Sequence, residues 1–223
     1  MSPHSLAKRP VCAQCLRPER TCICHWVRPL APAVEVLILQ HPLEVHQAKG
    51  SARLLHLCLR HSRLVVGESF DPNSLFELLH APWPDSFHTQ GVPLIQPVLL
   101  YPKQPAAASN NLLPQPFDSR MMTQSSIVRL VVVDGTWRKS RKMLALNPVL
   151  QLLPRVSLEE PMPSQYTIRK AHLPGQLSTL EACCHALGRL ENDAQKYMPL
   201  LQAFVSFIKE QIGYLEGKLR LDF

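Results

Sequence analysis

At 223 residues the chain is long enough to remove roughly 70% of its unfolded surface from water, so one substantial α/β domain with a small appendage is expected ahead of a two-domain arrangement. Its 24 Lys and Arg against 17 Asp and Glu leave a net charge of +7, which favours a polyanionic partner over an acidic membrane patch or a neutral metabolite alone. No apolar run approaches the roughly 18 residues of a membrane span, and Met1 to Pro10 lacks the apolar core of a signal peptide, so a soluble, cytoplasmic protein with no membrane partner is expected.

The first feature in chain order is a cysteine cluster. Seven cysteines, an odd number without a signal peptide, argue for thiols and metal rather than disulfides. Cys12, Cys15, Cys22 and Cys24 fall within thirteen residues as C-x2-C-x6-C-x-C, whereas Cys58, Cys183 and Cys184 lie in helix-like patterns and read as core. Four thiolates close a tetrahedral zinc site at about 2.3 Å per Zn–S bond, with redox pairing or unliganded thiols as the alternative. His25 beside the set reads as satisfied or exposed rather than as a replacement ligand. A closed site leaves no position for a reactive water, so this metal is expected to hold structure and present Arg17 and Arg20. Residues 1–30 are therefore a zinc-binding element and residues 31–223 the main domain.

VEVLILQ then reads as a buried strand, SARLLHLCLRHSRL as a helix over residues 51–64 and LVVGE as the next strand. This β-α-β rhythm implies parallel pairing with a crossover helix. HPLEVH, between the first strand and that helix, reads as a polar loop in preference to a metal site at His41, Glu44 and His46. Pro-rich connections at APWPDS and PKQPAAASNNLLPQP flank a strand at LIQPVLLYP, and residues 102–120 read as a long surface loop, either a lid or a linker.

VRLVVVDG has the unbroken β-branched run of a central strand buried on both faces, and TWRKSRKMLALNP reads as the following helix. Asp134 thereby falls at the carboxyl end of a buried parallel strand, where open α/β sheets place their ligands, although capping of the next helix is the competing role. Gly135 permits a close backbone approach or a positive φ. The cations Arg138, Lys139, Arg141 and Lys142 span little more than one helical turn, and Arg155, Arg169 and Lys170 continue the sign, which favours phosphate binding over a merely solvated face. Trp137 is open to stacking a base or to packing in the core. Further on, Tyr166, Arg169 and Lys170 precede a Pro-Gly turn, and Ser178 with Glu181 forms an S-x-x-E capping box. PLLQAFVSFIKEQIGYLEGKL is an amphipathic helix that packs on the sheet or on a second subunit, so a homodimer is one arrangement open to the chain. The sequence contains no phosphate loop, no G-x-G-x-x-G helix opening and no G-x-S-x-G elbow.

CAQCLRPERTCIC, VVVDGTWRKSRKM, YTIRK and LSTLEA, in that order, resemble the DTW-domain family, the tRNA-uridine aminocarboxypropyltransferases related to the SPOUT superfamily of knotted α/β enzymes. The resemblance runs from Cys12 to about Leu190, and Ser140 stands where many members carry Ala. It implies a SPOUT-like knotted, mostly parallel sheet flanked by helices, with a small N-terminal zinc-binding element. It also implies transfer of the 3-amino-3-carboxypropyl group of S-adenosylmethionine to N3 of a tRNA uridine, at variable-loop position 47, forming acp3U and releasing 5′-methylthioadenosine. Asp134 would be the general base. Leu100, Tyr101 and Pro102, together with Asp134, Gly135, Thr136 and Trp137, then Leu153 and Pro154, then Leu177, Ser178, Thr179 and Glu181, would cradle S-adenosylmethionine. Arg17, Arg20, Arg138, Lys139, Arg141, Lys142, Arg169 and Lys170 would meet tRNA. A sulfonium is already activated, so positioning and one carboxylate suffice and no catalytic metal is required. A SPOUT-type RNA methyltransferase and a non-catalytic zinc-containing RNA-binding module are the alternatives.

Overall fold

The computed structural model describes residues 10–84, 93–102, 117, 126–158, 177–215 and 217. In chain order they form β1 (Glu35–Gln40), α1 (Ala52–Cys58), β2 (Ser62–Val66), α2 (Pro72–His80), β3 (Leu94–Leu100), β4 (Ser126–Asp134), α3 (Trp137–Leu146), α4 (Pro148–Leu152), β5 (Arg155–Val156), α5 (Thr179–Leu190) and α6 (Met198–Leu215). The strands make one five-stranded sheet in the order β2-β1-β4-β3-β5, and every pairing in it is parallel.

A parallel sheet needs cover on both faces, and the strand period of two supplies it. Val36, Ile38, Val128, Leu130 and Val132 share one apolar cluster with Leu54 and Leu55 of α1 and Leu180, Cys183 and Leu187 of α5, which α6 joins through Leu200 and Phe204. Leu37, Leu39, Leu99 and Val131 face the other way, onto Leu75, Leu79, Met143 and Leu150 of α2, α3 and α4. The cysteine-rich segment joins the first of these clusters through Cys15 and Ile23. The apolar face of α6 joins the same cluster through Leu200, Phe204 and Phe207 and packs against α5 and the cysteine-rich segment rather than on the strands themselves. No described helix is long and apolar enough to cross a membrane.

The expected α/β sheet flanked by helices is present, with local differences. The helix expected over residues 51–64 stops at Cys58, where the Ser62 hydroxyl donates to the Leu59 carbonyl at 2.7 Å. Residues 62–64 are drawn into β2 by pairing in register with β1, from Val36 opposite Ser62 to Gln40 opposite Val66. Sheet pairing overrides the leucine spacing there. The α2 helix was not anticipated from the sequence, yet its start signal is present: the Asp71 carboxylate accepts from the Ser74 N–H at 2.9 Å and Pro72 occupies the first turn. Pro97 is accommodated inside β3 because β5 pairs only with Leu99 and Leu100, so no described strand pairs with that edge at Pro97. The long loop expected at residues 102–120 lies, apart from Pro102 and Phe117, outside the described residues. A knot is a property of connections that include residues 103–116, 118–125 and 159–176, which also lie outside them.

At the amino end of the sheet, remote from Asp134, β4 carries a fully buried arginine. Arg129 donates from Nε to Glu35 on β1 at 2.7 Å, from Nη1 to the Leu78 carbonyl at 2.7 Å and from Nη2 to the Ala81 carbonyl at 2.9 Å. Its guanidinium also lies 4.1 Å from the centroid of the Trp83 ring. A buried cation is tolerated only when paired and hydrogen-bonded in this way. Glu35→Ala leaves the guanidinium without its counter-charge and is expected to cost about 3–5 kcal/mol in urea unfolding. A loss well under about 1 kcal/mol, the range of an exposed pair, would contradict the assigned role of this ion pair.

Candidate functional site

The strand order reverses between β1 and β4: from β1 the chain moves outward to β2, and it returns to β4 from β3 on the other side. That is the topological switch point, where an open sheet leaves a crevice beyond the carboxyl ends of its strands. Six residues of β1 and β4 run in register and end with Gln40 opposite Asp134. The Asp134 side chain is buried there. Its Oδ2 accepts from Gln40 Nε2 at 2.9 Å and its Oδ1 from Thr179 Oγ1 at 2.6 Å, while its backbone oxygen accepts from the His41 N–H at 2.9 Å.

Burial raises the Asp134 pKa above the ordinary carboxylate value, and the hydrogen bonds from Thr179 and Gln40 pull against that rise by favouring the charged form. The result is a carboxylate more basic than usual, held in one orientation. The competing role, capping of the next helix, falls to another residue. Thr136 caps α3, accepting from the Lys139 N–H at 3.4 Å, so Asp134 is free of that role. The α5 cap is the box read from the sequence: Ser178 Oγ accepts from the Glu181 N–H at 3.2 Å, and Glu181 Oε2 accepts from the Ser178 N–H at 2.7 Å. These two side chains therefore fix the α5 start, and Thr179, the first helical residue, is carried onto Asp134.

Gly135 serves close approach rather than a left-handed φ, which among the described glycines only Gly217 adopts. A Cβ at Gly135 would stand 3.2 Å from Lys139 Cβ and 3.6 Å from His41 Cβ. Trp137 is exposed and not core, and its ring meets the edge of Tyr101 with centroids 5.7 Å apart. The Tyr101 hydroxyl lies 3.2 Å from Ser140 Oγ, and Arg155 donates from Nη1 to the Pro102 carbonyl at 2.9 Å. Leu100 to Pro102 and Leu153 to Arg155 thus form the β3 and β5 side of the same sheet edge, with Leu153 buried and Leu100 half-buried. Leu177 is half-buried just before the α5 cap.

An ionic collar surrounds this edge. Lys139 pairs with Glu44 at 2.7 Å, Lys142 with Glu68 at 2.9 Å and His41 Nε2 with Glu68 at 2.9 Å. His41 Nδ1 accepts from the Leu43 N–H at 3.1 Å, which assigns the proton to Nε2 and makes it the donor to Glu68. Lys142, then His41, hold Glu68 below the usual carboxylate range. His41 and Glu44 are accordingly collar residues, engaged with Glu68 and Lys139. Of the cations expected to meet RNA, Arg138 and Arg20 are exposed, and Arg141 is exposed with its Nε 3.3 Å from the Trp137 carbonyl. Arg17 is engaged internally, donating to the Gln47 and Ala48 carbonyls at 3.0 and 2.6 Å and lying over the Phe207 ring. Tyr166, Arg169 and Lys170 fall outside the described residues. Gln40 and Glu68 were not anticipated as site residues. A polar residue ending the apolar run VEVLILQ was the available signal for Gln40.

The four clustered thiols converge. Cys12 and Cys24 Sγ lie 3.7 Å apart, Cys15 and Cys22 Sγ 3.8 Å, and all four sulfurs lie within 4.8 Å of one another. Sulfurs on the corners of a tetrahedron with bonds of about 2.3 Å stand about 3.8 Å apart, so the donor set fits such an ion. The backbone N–H groups of Cys15 and Gln14 lower the Cys12 thiol to about 6, whereas burial pushes Cys24 upward. Among the described residues no other His, Cys, Asp or Glu group gathers in this way.

A five-stranded parallel sheet flanked by helices, with a buried carboxylate at its switch point and a four-thiol cluster whose geometry fits a metal ion, defines a mixed α/β protein. The chain belongs to the DTW-domain family, whose model matches residues 9–212. It is 30% identical over 207 residues to tRNA-uridine aminocarboxypropyltransferase 2 of Mus musculus, covering 90% of this chain and 64% of that protein. The protein of the same name from Drosophila melanogaster is 30% identical over 214 residues, covering 92% of this chain and 76% of its own length. tRNA-uridine aminocarboxypropyltransferase A of Arabidopsis thaliana is 25% identical over 237 residues, covering 96% and 83%. The chain spans just under two thirds of the mouse relative's length. No solved structure matches it.

The carboxyl of Asp134, followed by NMR, is expected to titrate above the ordinary value of about 4. Thr179→Val and Gln40→Leu each remove a donor to the charged form, so each should move the midpoint further up. A wild-type midpoint below 4, approximately, would contradict the dominance of burial.

Proposed function

We propose that the chain transfers the 3-amino-3-carboxypropyl group of S-adenosylmethionine to N3 of a tRNA uridine, in the variable loop, with Asp134 as the proton acceptor. The observation that carries this reading is the buried, oriented Asp134 carboxylate at the sheet switch point of a DTW-family chain. Relatives named for tRNA-uridine aminocarboxypropyl transfer support it.

The transfer asks little of the protein beyond position and one base. Asp134 takes the imide proton from uridine N3. The N3 electron pair forms a bond to the γ-carbon as the γ-carbon–sulfur bond breaks, and that bond's electrons go to the sulfonium. The departing species is neutral 5′-methylthioadenosine. A carboxylate made more basic by burial suits this proton transfer, and the Gln40 and Thr179 donors keep its remaining lone pairs aimed. In this reading Leu100, Tyr101, Pro102, Gly135, Thr136, Trp137, Leu153, Pro154 and Leu177 shape the donor's cradle, and Ser178 and Glu181 act by placing Thr179.

Arg138, Arg141, Lys142 and Arg20 are exposed cations that meet tRNA phosphates in this reading, and Arg169 and Lys170 are assigned the same role. Lys139 joins them by exchanging the carboxylate of Glu44 for phosphate, as Lys142 does with that of Glu68. Zn2+ on Cys12, Cys15, Cys22 and Cys24 is structural, in an element of residues 1–30 attached to a catalytic domain of residues 31–223. A SPOUT-like knot in the sheet's connections and a cytoplasmic setting complete the proposal.

Incubation with tRNA and S-adenosylmethionine is expected to release 5′-methylthioadenosine and leave the nucleoside acp3U. S-adenosylhomocysteine with methylated tRNA would overturn the reading in favour of methyl transfer. Asp134→Asn keeps the shape and is expected to slow product formation by about 10²- to 10⁴-fold. For the knuckle, metal analysis of native protein should find one zinc per chain, lost in Cys22→Ala. Native protein with no bound zinc would remove the zinc assignment and leave the transfer chemistry standing.

A further inference from the structure

The sheet holds two buried arginines, and they are treated differently. Arg129 has a carboxylate and bonds from all three of its nitrogens. Arg155 on β5, only 4% exposed, uses Nη1 on the Pro102 carbonyl and lies 5.4 Å from the Tyr101 ring centroid, while its Nε and Nη2 have no partner among the described residues. A buried, half-satisfied guanidinium is costly to keep. The two orphaned donors lie on one edge of the guanidinium plane, the fork that meets both oxygens of a carboxylate at once.

The place of this fork matters. β3 and β4 pair as far as Leu100 opposite Val132, so Pro102, two residues past the last pair, leaves the sheet at the same carboxyl end where Asp134 closes β4. The carbonyl that anchors Arg155 is therefore on the same sheet edge as the proposed base. A polynucleotide phosphate also suits a guanidinium fork, but it arrives on a bulky backbone and is best met by exposed cations. A carboxylate at the end of a short carbon chain can enter a buried position.

We propose that Arg155 binds the α-carboxylate of the donor's aminocarboxypropyl group through Nε and Nη2, an assignment that rests on the aminocarboxypropyl-transfer reading above and names the residue that recognises the transferred group. Arg155 then selects an intact amino-acid end on the sulfonium and orients the γ-carbon toward the acceptor. It also lets 5′-methylthioadenosine leave without a carboxylate bond to break, while the carboxylate stays with the group now on the uridine.

Calorimetric binding to the full chain tests this with three probes: S-adenosylmethionine, its decarboxylated analogue and 5′-methylthioadenosine. Wild-type protein is expected to prefer S-adenosylmethionine over the decarboxylated analogue by roughly 10²-fold, the scale of removing one partner of a buried charge pair. Arg155→Met should abolish that preference and leave 5′-methylthioadenosine affinity unchanged. Arg155→Lys, which keeps the charge but loses the fork, should retain only part of the preference and serves where the Met variant does not fold. Equal wild-type affinity for S-adenosylmethionine and its decarboxylated analogue, with 5′-methylthioadenosine bound, would overturn the Arg155 assignment alone. So would a loss in Arg155→Met shared equally by all three probes, which marks a structural role. Wild-type protein that binds none of the three would sink the transfer reading together with this one.

Discussion

The pairing of β1 with β4 is the constraint on which the rest of the site depends. Six parallel residues in register bring Gln40 level with Asp134, although 94 positions separate them in sequence. One carboxylate is thereby buried at the point where the strand order reverses, and it receives a side-chain donor from the neighbouring strand. A slip of one residue would turn every side chain of β1 to the opposite face, exchanging the two apolar layers and removing Gln40 from Asp134. The buried Glu35–Arg129 pair at one end of β1 and the Gln40–Asp134 bond at the other oppose such a slip, because it would leave buried polar groups without partners.

Around that pairing, each neighbouring element contributes one fixed group. The Ser178–Glu181 box sets the first turn of α5 and delivers Thr179; Thr136 caps α3 and leaves Asp134 unencumbered. The thiol knuckle acts at longer range. Arg17 leaves the knuckle to bond the Gln47 and Ala48 carbonyls, in the segment that also carries His41 and Glu44. Glu44 in turn pairs with Lys139 on α3, and His41 with Glu68 after β2. A structural ion on the cysteines would thus brace the loop beside Asp134.

What was legible in the sequence was local. The apolar runs of β1 and β4, the C-x2-C-x6-C-x-C spacing, the capping box and the place of Asp134 at a strand end all follow from short-range periodicity and side-chain chemistry. The donors to Asp134 were less legible, because Gln40 and Thr179 meet it only through tertiary pairing; Thr179 entered through the family resemblance alone. The overextended α1 has the same cause, since β1 claims residues 62–64 by pairing. The α2 helix is a different case, with its Asp71 and Pro72 start signal in plain view. Charge counting marked Lys139, Lys142 and Arg17 as a phosphate surface, but it could not show that each already has an internal partner. The transferred group and its donor came from the resemblance, and composition pointed no further than a polyanion.

The central claim is that the Asp134 carboxylate accepts the proton in the transfer step. The most direct measurement is the pH dependence of a single turnover on tRNA at saturating S-adenosylmethionine. Only the ionised carboxyl can accept a proton, so the rate should be full above the raised Asp134 pKa and fall tenfold per pH unit below it. The acid limb should move up in pH in Thr179→Val and disappear in Asp134→Asn. An acid limb unchanged in both variants would contradict the account.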